Sequence, residues 1–537
     1  MRIRLLPPLL LVVLAAGACA RDDEPTAAPE IDPRSYMTEY REGEMETSAM
    51  PRPSAGTGGD MATSTGAPMA TTVPQPPVPG PFEDNVFVDG GDSTFVATAD
   101  DAESTFGLDV DTGSWTVGQA LMSEGALPDP ASIRVEEWIN AFDYGDPAPA
   151  ADGLAVVVET GDAPRADDGT RLVRIGISTA DLADADRPPA NLTFVIDTSG
   201  SMDIRERLGL VKASLALLVD TLHDDDTIAI VTYGDDARPV LAPTAVADAE
   251  RIIAAIDELG PGGSTNMEAG LLLGYEQARD AFRPDALNVV VLASDGVANV
   301  GVTDPTVLTD QITQAGEEGI HLVTVGYGMG NYNDHLMEQL ADQGDGFYAY
   351  VDTFEEAERL FVEDLTPTLT VAAGDAKAQV VFDPAVVGSY RLIGYENRML
   401  DDEEFRDDTV DAGELGRGHG VTALYEVRLA DRDRVAPLAG APLAAQLGEV
   451  RLRWTGPGSG AVEELAAPIP MTTDTTDAFR LAATVAQFAE LLKGNADVAG
   501  RGTTLDDLAA DVAPLVAAEV PGAADLASAI DQARDLS

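Results

Sequence analysis

Along the middle of the chain, apolar residues fall into short unbroken runs that alternate with stripes spaced by three and four. The run 192–196, Leu-Thr-Phe-Val-Ile, stops at Asp197, Thr198, Ser199, Gly200 and Ser201. A run of this kind reads as a buried strand that ends where polar chemistry begins. Beyond it Ile204, Leu208, Val211, Leu215, Leu218 and Leu222 recur at steps of four and three, the single apolar stripe of a helix over 204–222. The unit then repeats. Strands are expected at 192–196, 228–233, 289–292, 322–325 and 348–351, with helices at 204–222, 247–259, 267–282, 305–315, 333–343 and 354–365. Asp304-Pro305 supplies one helix with an N-cap acid and a proline at its first position. The alternation implies a doubly wound, Rossmann-like α/β domain with a mostly parallel central sheet covered on both faces. In such sheets ligands bind outside the carboxyl ends of the strands.

The flanks follow another pattern. Before the α/β block the spacing predicts short helices at 115–122 and 133–142 and strands at 155–159 and 172–177. After it come strands at 379–382, 390–393, 423–429 and 450–454, then helices at 479–493, 505–516 and 523–533. Strands from both sides pair into one β-rich (α+β) platform, which makes the α/β block an insertion whose ends lie close together. Its last helix, 354–365, then connects the strand-end loops to that platform. The expected organisation is a signal peptide at 1–19, a linker at 20–88, an N-terminal domain at 89–187, the α/β domain at 188–372 and a C-terminal domain at 373–537. The linker is rich in Pro, Ala, Thr, Ser and Gly without apolar periodicity. It cannot bury enough surface to offset its chain entropy, so it is expected to be a disordered tether.

Composition narrows the partners. With 93 acidic and 33 basic residues the 537-residue chain carries a formal charge of −60, which makes nucleic acid and anionic lipid surfaces poor partners. There is one cysteine, so neither an intrachain disulfide nor a multi-cysteine zinc site is available. It stands at an informative place: Arg2 and Arg4 precede an apolar run over 5–14, followed by Ala15-Ala16-Gly17-Ala18-Cys19. This is the three-part form of a secretory signal. Small residues ahead of a cysteine resemble a bacterial lipobox, which implies that Cys19 is lipidated and the protein is extracytoplasmic and anchored to the cell membrane. Ordinary signal-peptidase cleavage, releasing a secreted chain, is the alternative.

Candidate chemistry gathers in three oxygen-rich loops at strand ends or helix starts: Asp197-Thr198-Ser199-Gly200-Ser201, Gly262-Gly263-Ser264-Thr265-Asn266 and Ser294-Asp295-Gly296. Together they supply two carboxylates and several hydroxyls with no thiolate or imidazole. Such hard donors suit Mg²⁺ or Mn²⁺, and Ca²⁺ less well. The three loops resemble the metal-ion-dependent adhesion site of von Willebrand factor type A (VWA) domains, Asp-x-Ser-x-Ser with a distant Thr and Asp, and all five positions are filled. The resemblance implies that Ser199, Ser201 and Thr265 touch the metal, while Asp197 and Asp295 bind it directly or through water. It extends to the flanks, where 104–112, 134–140, 390–398 and 411–414 resemble the regions around the VWA domain in bacterial YfbK-like lipoproteins. It implies a non-enzymatic protein that captures a partner's Asp or Glu carboxylate at an open metal position.

Other readings stand beside this one. The hydroxyls alone would serve as helix and turn caps, and a metal there would also serve a purely structural role or a constitutive envelope scaffold. A metal-assisted phosphohydrolase would use Asp109 and Asp111, or Asp197. However, 104–108 lacks the strong apolar strand that the paired-aspartate motif needs, and an Asx-type turn explains those acids. Gly326-Tyr327-Gly328-Met329-Gly330 is followed by Asn331, so it lacks the third glycine of a dinucleotide fingerprint at the required spacing. It reads instead as a loop beside the metal face, with Asn331 and Asn333 placed to contact a partner. His223, His321, His335 and His419 are scattered, and there is no His-Glu-x-x-His, Gly-x-Ser-x-Gly or Gly-x-x-x-x-Gly-Lys.

Overall fold

Strands with one face toward a core and helices with one apolar stripe account for every layer of the computed structural model. It describes residues 32–40, 91–108, 111–150, 152–181, 187–295, 305–328, 334–364, 370–407, 410, 412–430, 446–456 and 460–537. Ahead of the central block lie β1 (Val96–Ala97), β2 (Glu103–Gly107), α1 (Gly113–Ser123), α2 (Val135–Asn140), β3 (Leu154–Asp162) and β4 (Arg171–Thr179). The central block runs through β5 (Ala190–Asp197), α3 (Leu210–Thr221), β6 (Thr227–Tyr233), β7 (Ala237–Ala245), α4 (Ala249–Asp257) and α5 (Met267–Asp280). It continues with β8 (Leu287–Ser294), α6 (Pro305–Glu317), β9 (Ile320–Tyr327), α7 (Asp334–Gln343), β10 (Tyr348–Val351) and α8 (Phe354–Glu358). The chain then forms β11 (Val371–Phe382), β12 (Val387–Ile393), β13 (Met399–Leu400), β14 (Leu415–Gly416), β15 (Gly420–Leu429), β16 (Gln446–Thr455) and β17 (Val462–Pro470). Helices α9 (Asp477–Lys493), α10 (Ala496–Gly500), α11 (Leu505–Ala517) and α12 (Ala523–Leu536) complete it.

The central sheet has the order β10-β9-β8-β5-β6-β7 and is parallel except for β7, which runs antiparallel to β6. Every residue of β5 is buried, as the apolar run requires. Alternate side chains serve opposite faces: Val195 joins the core under α5, while the Phe194 ring lies 6.4 Å from that of Phe361. Because β6 and β8 flank β5, the strand order reverses there, and the carboxyl ends of β5 and β8 border the crevice where such sheets bind ligands.

The flanking strands pair across this insertion, as expected. One antiparallel sheet has the order β1-β12-β15-β4-β3 and a second β13-β2-β11-β16-β17, with β14 on β11. Leu172 of β4 faces Glu426 of β15, and Phe106 of β2 faces Ala378 of β11. The two sheets share a core that includes Phe106, Ile175, Val380, Phe382, Tyr390 and Tyr425. A second core lies beyond the first sheet, where Leu172, Ile393 and Leu424 meet α2, α9, α11 and α12 around Trp138. Helix α1 joins this body to the inserted domain: Trp115 and Met122 enter the helical core, while Val117, Ala120 and Leu121 enter the core of the α/β sheet. Among the described residues, no helix is long and apolar enough to cross a membrane.

Several elements depart from the expectations. Strand β7 was not anticipated because Pro239 and Pro243 interrupt it, but it is an edge strand, where a missing N–H is tolerated. Strand β2 exists although Ser104 and Thr105 are polar. Both are buried and bonded, Thr105 Oγ1 donating to Asp402 Oδ1 at 2.8 Å and Tyr425 Oη to Ser104 Oγ at 3.0 Å. The helix expected over 204–222 opens with a π-helical turn at Arg205–Gly209, and the one over 354–365 passes into a π turn at Arg359–Asp364. Within the expected linker, Pro33–Thr38 forms a 3-10 helix with Tyr36 and Tyr40 buried. Two aromatic rings supply the burial that the composition of the whole segment conceals.

Arg391 of β12 is fully buried and donates to Glu426 of β15 at 3.1 Å and to Glu490 of α9, tying the first sheet to its helical layer. Arg391→Ala leaves both carboxylates without that partner, so a loss of about 3–5 kcal/mol is expected by denaturant titration. A loss under about 1 kcal/mol would show that the pair is locally dispensable.

Candidate metal centre

The site is assembled by two parallel neighbours. The register of β5 and β8 sets Ile196 opposite Ala293, so Asp197 emerges beside Ser294 and Asp295 follows one residue later on the neighbouring strand. Asp197 and Asp295 are each 0% exposed. Asp197 Oδ1 accepts from the Ser199 N–H at 2.8 Å and Oδ2 from the Ser294 hydroxyl at 3.0 Å, which fixes both of its oxygens. Ser199 and Ser201 bring their hydroxyl oxygens to 3.0 Å of each other.

The second loop is fastened to the first through its backbone. Gly262 N–H donates to the Thr198 carbonyl at 2.5 Å and Gly200 N–H to the Gly263 carbonyl at 3.2 Å, while Thr198 is held by the Tyr233 carbonyl at 2.9 Å. Buried Thr265 follows in that loop, just ahead of Asn266, whose side chain caps α5 by accepting from Ala269 N–H at 3.2 Å. Helix α5 can lie this close to the sheet because it carries glycines one turn apart. A Cβ on Gly270 would meet Tyr233 Cδ1 at 2.6 Å, and one on Gly274 would meet Val195 Cγ2 at 2.3 Å. The small residues of α5 thus set the height of Thr265 above β5.

The electrostatics are those of an anionic cage. Burial and the charge of Asp295 push the Asp197 carboxyl up to about 6, against the smaller opposing effect of its hydrogen bonds. A protein cation reaches into it: Arg207 Nη1 donates to Asp295 Oδ2 at 2.8 Å and to the Ser201 carbonyl at 2.8 Å. Two carboxylates with neutral hydroxyls beside them form a donor set fit for a hard divalent cation.

Comparisons with known proteins agree with this framework. A family model described as von Willebrand factor type A domain matches residues 191–363, one described as "Uncharacterized protein YfbK, C-terminal" matches 367–513, and one described as von Willebrand factor matches 81–174. The chain is 39% identical over 410 residues to YfbK of Escherichia coli (strain K12), across 73% of this chain and 71% of that one. The chain belongs to the YfbK family. It is also similar to protein sll0103 of Synechocystis sp., at 27% identity over 56% of this chain and 70% of that one. Mus musculus inter-alpha-trypsin inhibitor heavy chain H2 is 28% identical over 34% of this chain and 20% of its own length. A solved von Willebrand factor type A structure from Catenulispora acidiphila aligns with a TM-score of 0.37 at 18% identity, over 63% of this chain and 78% of that one.

A VWA domain points to protein–protein interaction or adhesion. In this family member the loops bearing Asp197, Ser199, Ser201, Thr265 and Asp295 come together at the carboxyl ends of β5 and β8. Cys19, Asn331, Asn333 and Gly296 lie outside the described residues, as does Asp109. Asp111, the other half of the phosphohydrolase reading, accepts from Tyr348 N–H at 3.4 Å and lies 3.5 Å from the Arg398 guanidinium, so it ties three segments together. The strand that reading lacked is present as β2, and Asp111 is nonetheless engaged elsewhere. Arg207 and Ser294 are the site residues that the motif did not contain. The signal for Arg207 was visible: it stands three residues after Ile204 and four before Val211, an arginine on the buried stripe.

Gly274→Ala is expected to destabilise the chain by about 1–3 kcal/mol through overpacking against Val195, despite a gain of about 1 kcal/mol in helix propensity. Denaturant titration checks this, and unchanged stability would mean that α5 can retreat from β5 at no cost.

Proposed function

We propose that Asp197, Ser199, Ser201, Thr265 and Asp295 hold a Mg²⁺ or Mn²⁺ ion, with Ca²⁺ a poorer fit, and that the protein uses it to capture a partner through an Asp or Glu side chain. The observation that carries this reading is the pair of fully buried carboxylates at neighbouring strand ends, converged on by hydroxyl-bearing loops. Caps and turns account for hydroxyls one at a time, but they do not call for two buried acids beside them. When bound, the ion would supply a hard Lewis-acid centre that takes an anionic oxygen as a further ligand.

The protein's own residues divide the work. Asp197 is held rigid by its two hydrogen bonds, and Ser199, Ser201 and Thr265 contribute oxygen without charge, so little of the ion's electrophilicity is withdrawn. The charge of −60 opposes an acidic partner at long range. That field decays over about 8 Å at physiological salt, whereas a coordinated carboxylate is held at about 2.0–2.1 Å by the ion itself. Net charge therefore slows encounter, and local coordination decides affinity. Lipidation at Cys19 would present this surface on the outer side of a bacterial cell membrane.

Magnesium at about a hundredfold its Kd should add about 2.7 kcal/mol to stability, seen as a raised Tm in the wild-type chain and not in Asp197→Ala. Peptides presented in paired Asp and Asn forms should bind only as Asp, only with Mg²⁺, and be released by chelator. Equal binding of both forms with and without chelator would overturn the proposal.

A further inference from the structure

The segment Pro33–Tyr40 is seated against α3, the end of α4 and the start of α8 by contacts made to fit it. Tyr36 is 4% exposed and Tyr40 9%, and their phenols donate to Asp257 Oδ1 at 2.8 Å and to the Leu259 carbonyl at 3.2 Å, both at the end of α4. Lys212 of α3, 1% exposed, lies 5.2 and 5.7 Å from the centres of the two rings and donates to Glu39 Oε2 at 2.8 Å. At the other end Arg34 covers the ring of Phe354 at 3.9 Å and donates to Glu355 Oε1 at 3.2 Å, at the start of α8. A buried lysine facing two aromatic rings and a carboxylate, all supplied by one short segment, marks a docking groove matched to this strap.

The strap rests on the turn that carries Arg207. A Cβ on Gly209 would meet Tyr40 Cδ2 at 3.0 Å and the Tyr36 carbonyl at 3.3 Å, so glycine is what lets the strap approach. Gly209 ends the π turn Arg205–Gly209. Two residues earlier, Arg207 holds Asp295 Oδ2 and the Ser201 carbonyl. Its stem packs on Gly328, where a Cβ would meet Arg207 Cγ at 2.8 Å. A π turn is a one-residue insertion in a helix, common at functional sites, and rewinding it to α register swings a side chain by about 100°.

We propose that the strap Pro33–Tyr40 holds this turn in its π form and so keeps Arg207 on Asp295 as an internal counter-cation, and that undocking the strap withdraws Arg207 and raises the site's affinity for a divalent cation. The proposal rests on the metal-binding reading above and adds its regulation. Arg207 occupies a carboxylate oxygen the metal site draws on and places a positive charge beside a second one, so the two cations compete. Arg207 is a positioning residue: it acts on Asp295 and does not touch the captured side chain. Because the strap is part of the chain, docking is unimolecular and independent of protein concentration. Reciprocity then requires the cation to loosen the strap by the factor with which the strap weakens the cation.

The test is Mn²⁺ affinity of the full chain, read from the electron paramagnetic resonance of free Mn²⁺. Tyr36→Ala with Tyr40→Ala evicts the strap by removing its anchors, and Gly209→Leu evicts it by filling its seat with a whole side chain at a helical position that favours folding. Each should tighten Mn²⁺ binding about fivefold or more, within the ordinary range of coupling between sites. Arg207→Gln should tighten it equally, Arg207→Lys should stay near wild type, and strap eviction in the Arg207→Gln background should add nothing. Amides 205–209 should exchange faster without metal once the strap is evicted. Unchanged affinity on eviction, or effects of strap and Arg207 that multiply, overturns the proposal while leaving metal binding intact. Absence of Mn²⁺ binding in every chain rejects the metal reading and the regulation together, and slow exchange at 205–209 after eviction separately rejects the link between strap and turn.

Discussion

Two buried negative charges at the ends of adjacent strands are the constraint to which the rest of the molecule answers. Taking an ionised carboxylate out of water costs several kcal/mol unless hydrogen bonds and an opposite charge offset it. Asp197 spends both oxygens on Ser199 and Ser294, and Asp295 receives Arg207, yet one guanidinium facing two carboxylates leaves the cage anionic. The raised Asp197 carboxyl is the local expression of that imbalance. A hard divalent cation would supply the charge that such a cage lacks, and on the proposed reading the neutral hydroxyls would leave it able to take one more anionic oxygen.

The fold delivers these charges to one place by packing rather than by local sequence. Register between β5 and β8 brings the acids to adjacent strand ends one residue out of step, and the glycines of α5 lower the threonine loop onto them. The insertion is held in its platform by an apolar helix with two faces, α1, and by a polar seam in which Arg134 Nη2 meets Glu338 Oε2 at 2.6 Å and Arg398 Nη2 meets Asp342 Oδ1 at 3.0 Å. The strap and the start of α8 lie together on the flank of the same domain. Metal loop, π turn, strap and last helix therefore form one continuous series of contacts.

Much of this was legible in the sequence because it depends on patterns of one period at a time. The run 192–196 ending in Asp197 identified the central strand, and three oxygen-rich loops with the right order identified the cage. The alternating runs on either side were enough to propose that strands before and after the insertion pair into one platform, though not which strand meets which. What escaped depends on context that a window of sequence does not hold. Pro239 and Pro243 spoke against a strand, and only an edge position excuses them. Ser104 and Thr105 spoke against β2 until Asp402 and Tyr425 were there to bond them. Arg207 stood on the buried stripe, but its target lies 88 residues away, on the neighbouring strand's end. Tyr36 and Tyr40 were diluted by the proline-rich segment around them, although two aromatic residues four apart are enough to dock a single turn.

The central claim is that the Asp197 and Asp295 loops enclose one divalent cation. Crystals of the full chain grown with Mn²⁺, with diffraction recorded at the manganese absorption edge, address it most directly. The account predicts a single strong anomalous peak among Asp197, Ser199, Ser201, Thr265 and Asp295, lost in Asp197→Ala crystals. Ordered loops with no anomalous density between them, or manganese bound elsewhere and unaffected by that substitution, would contradict it.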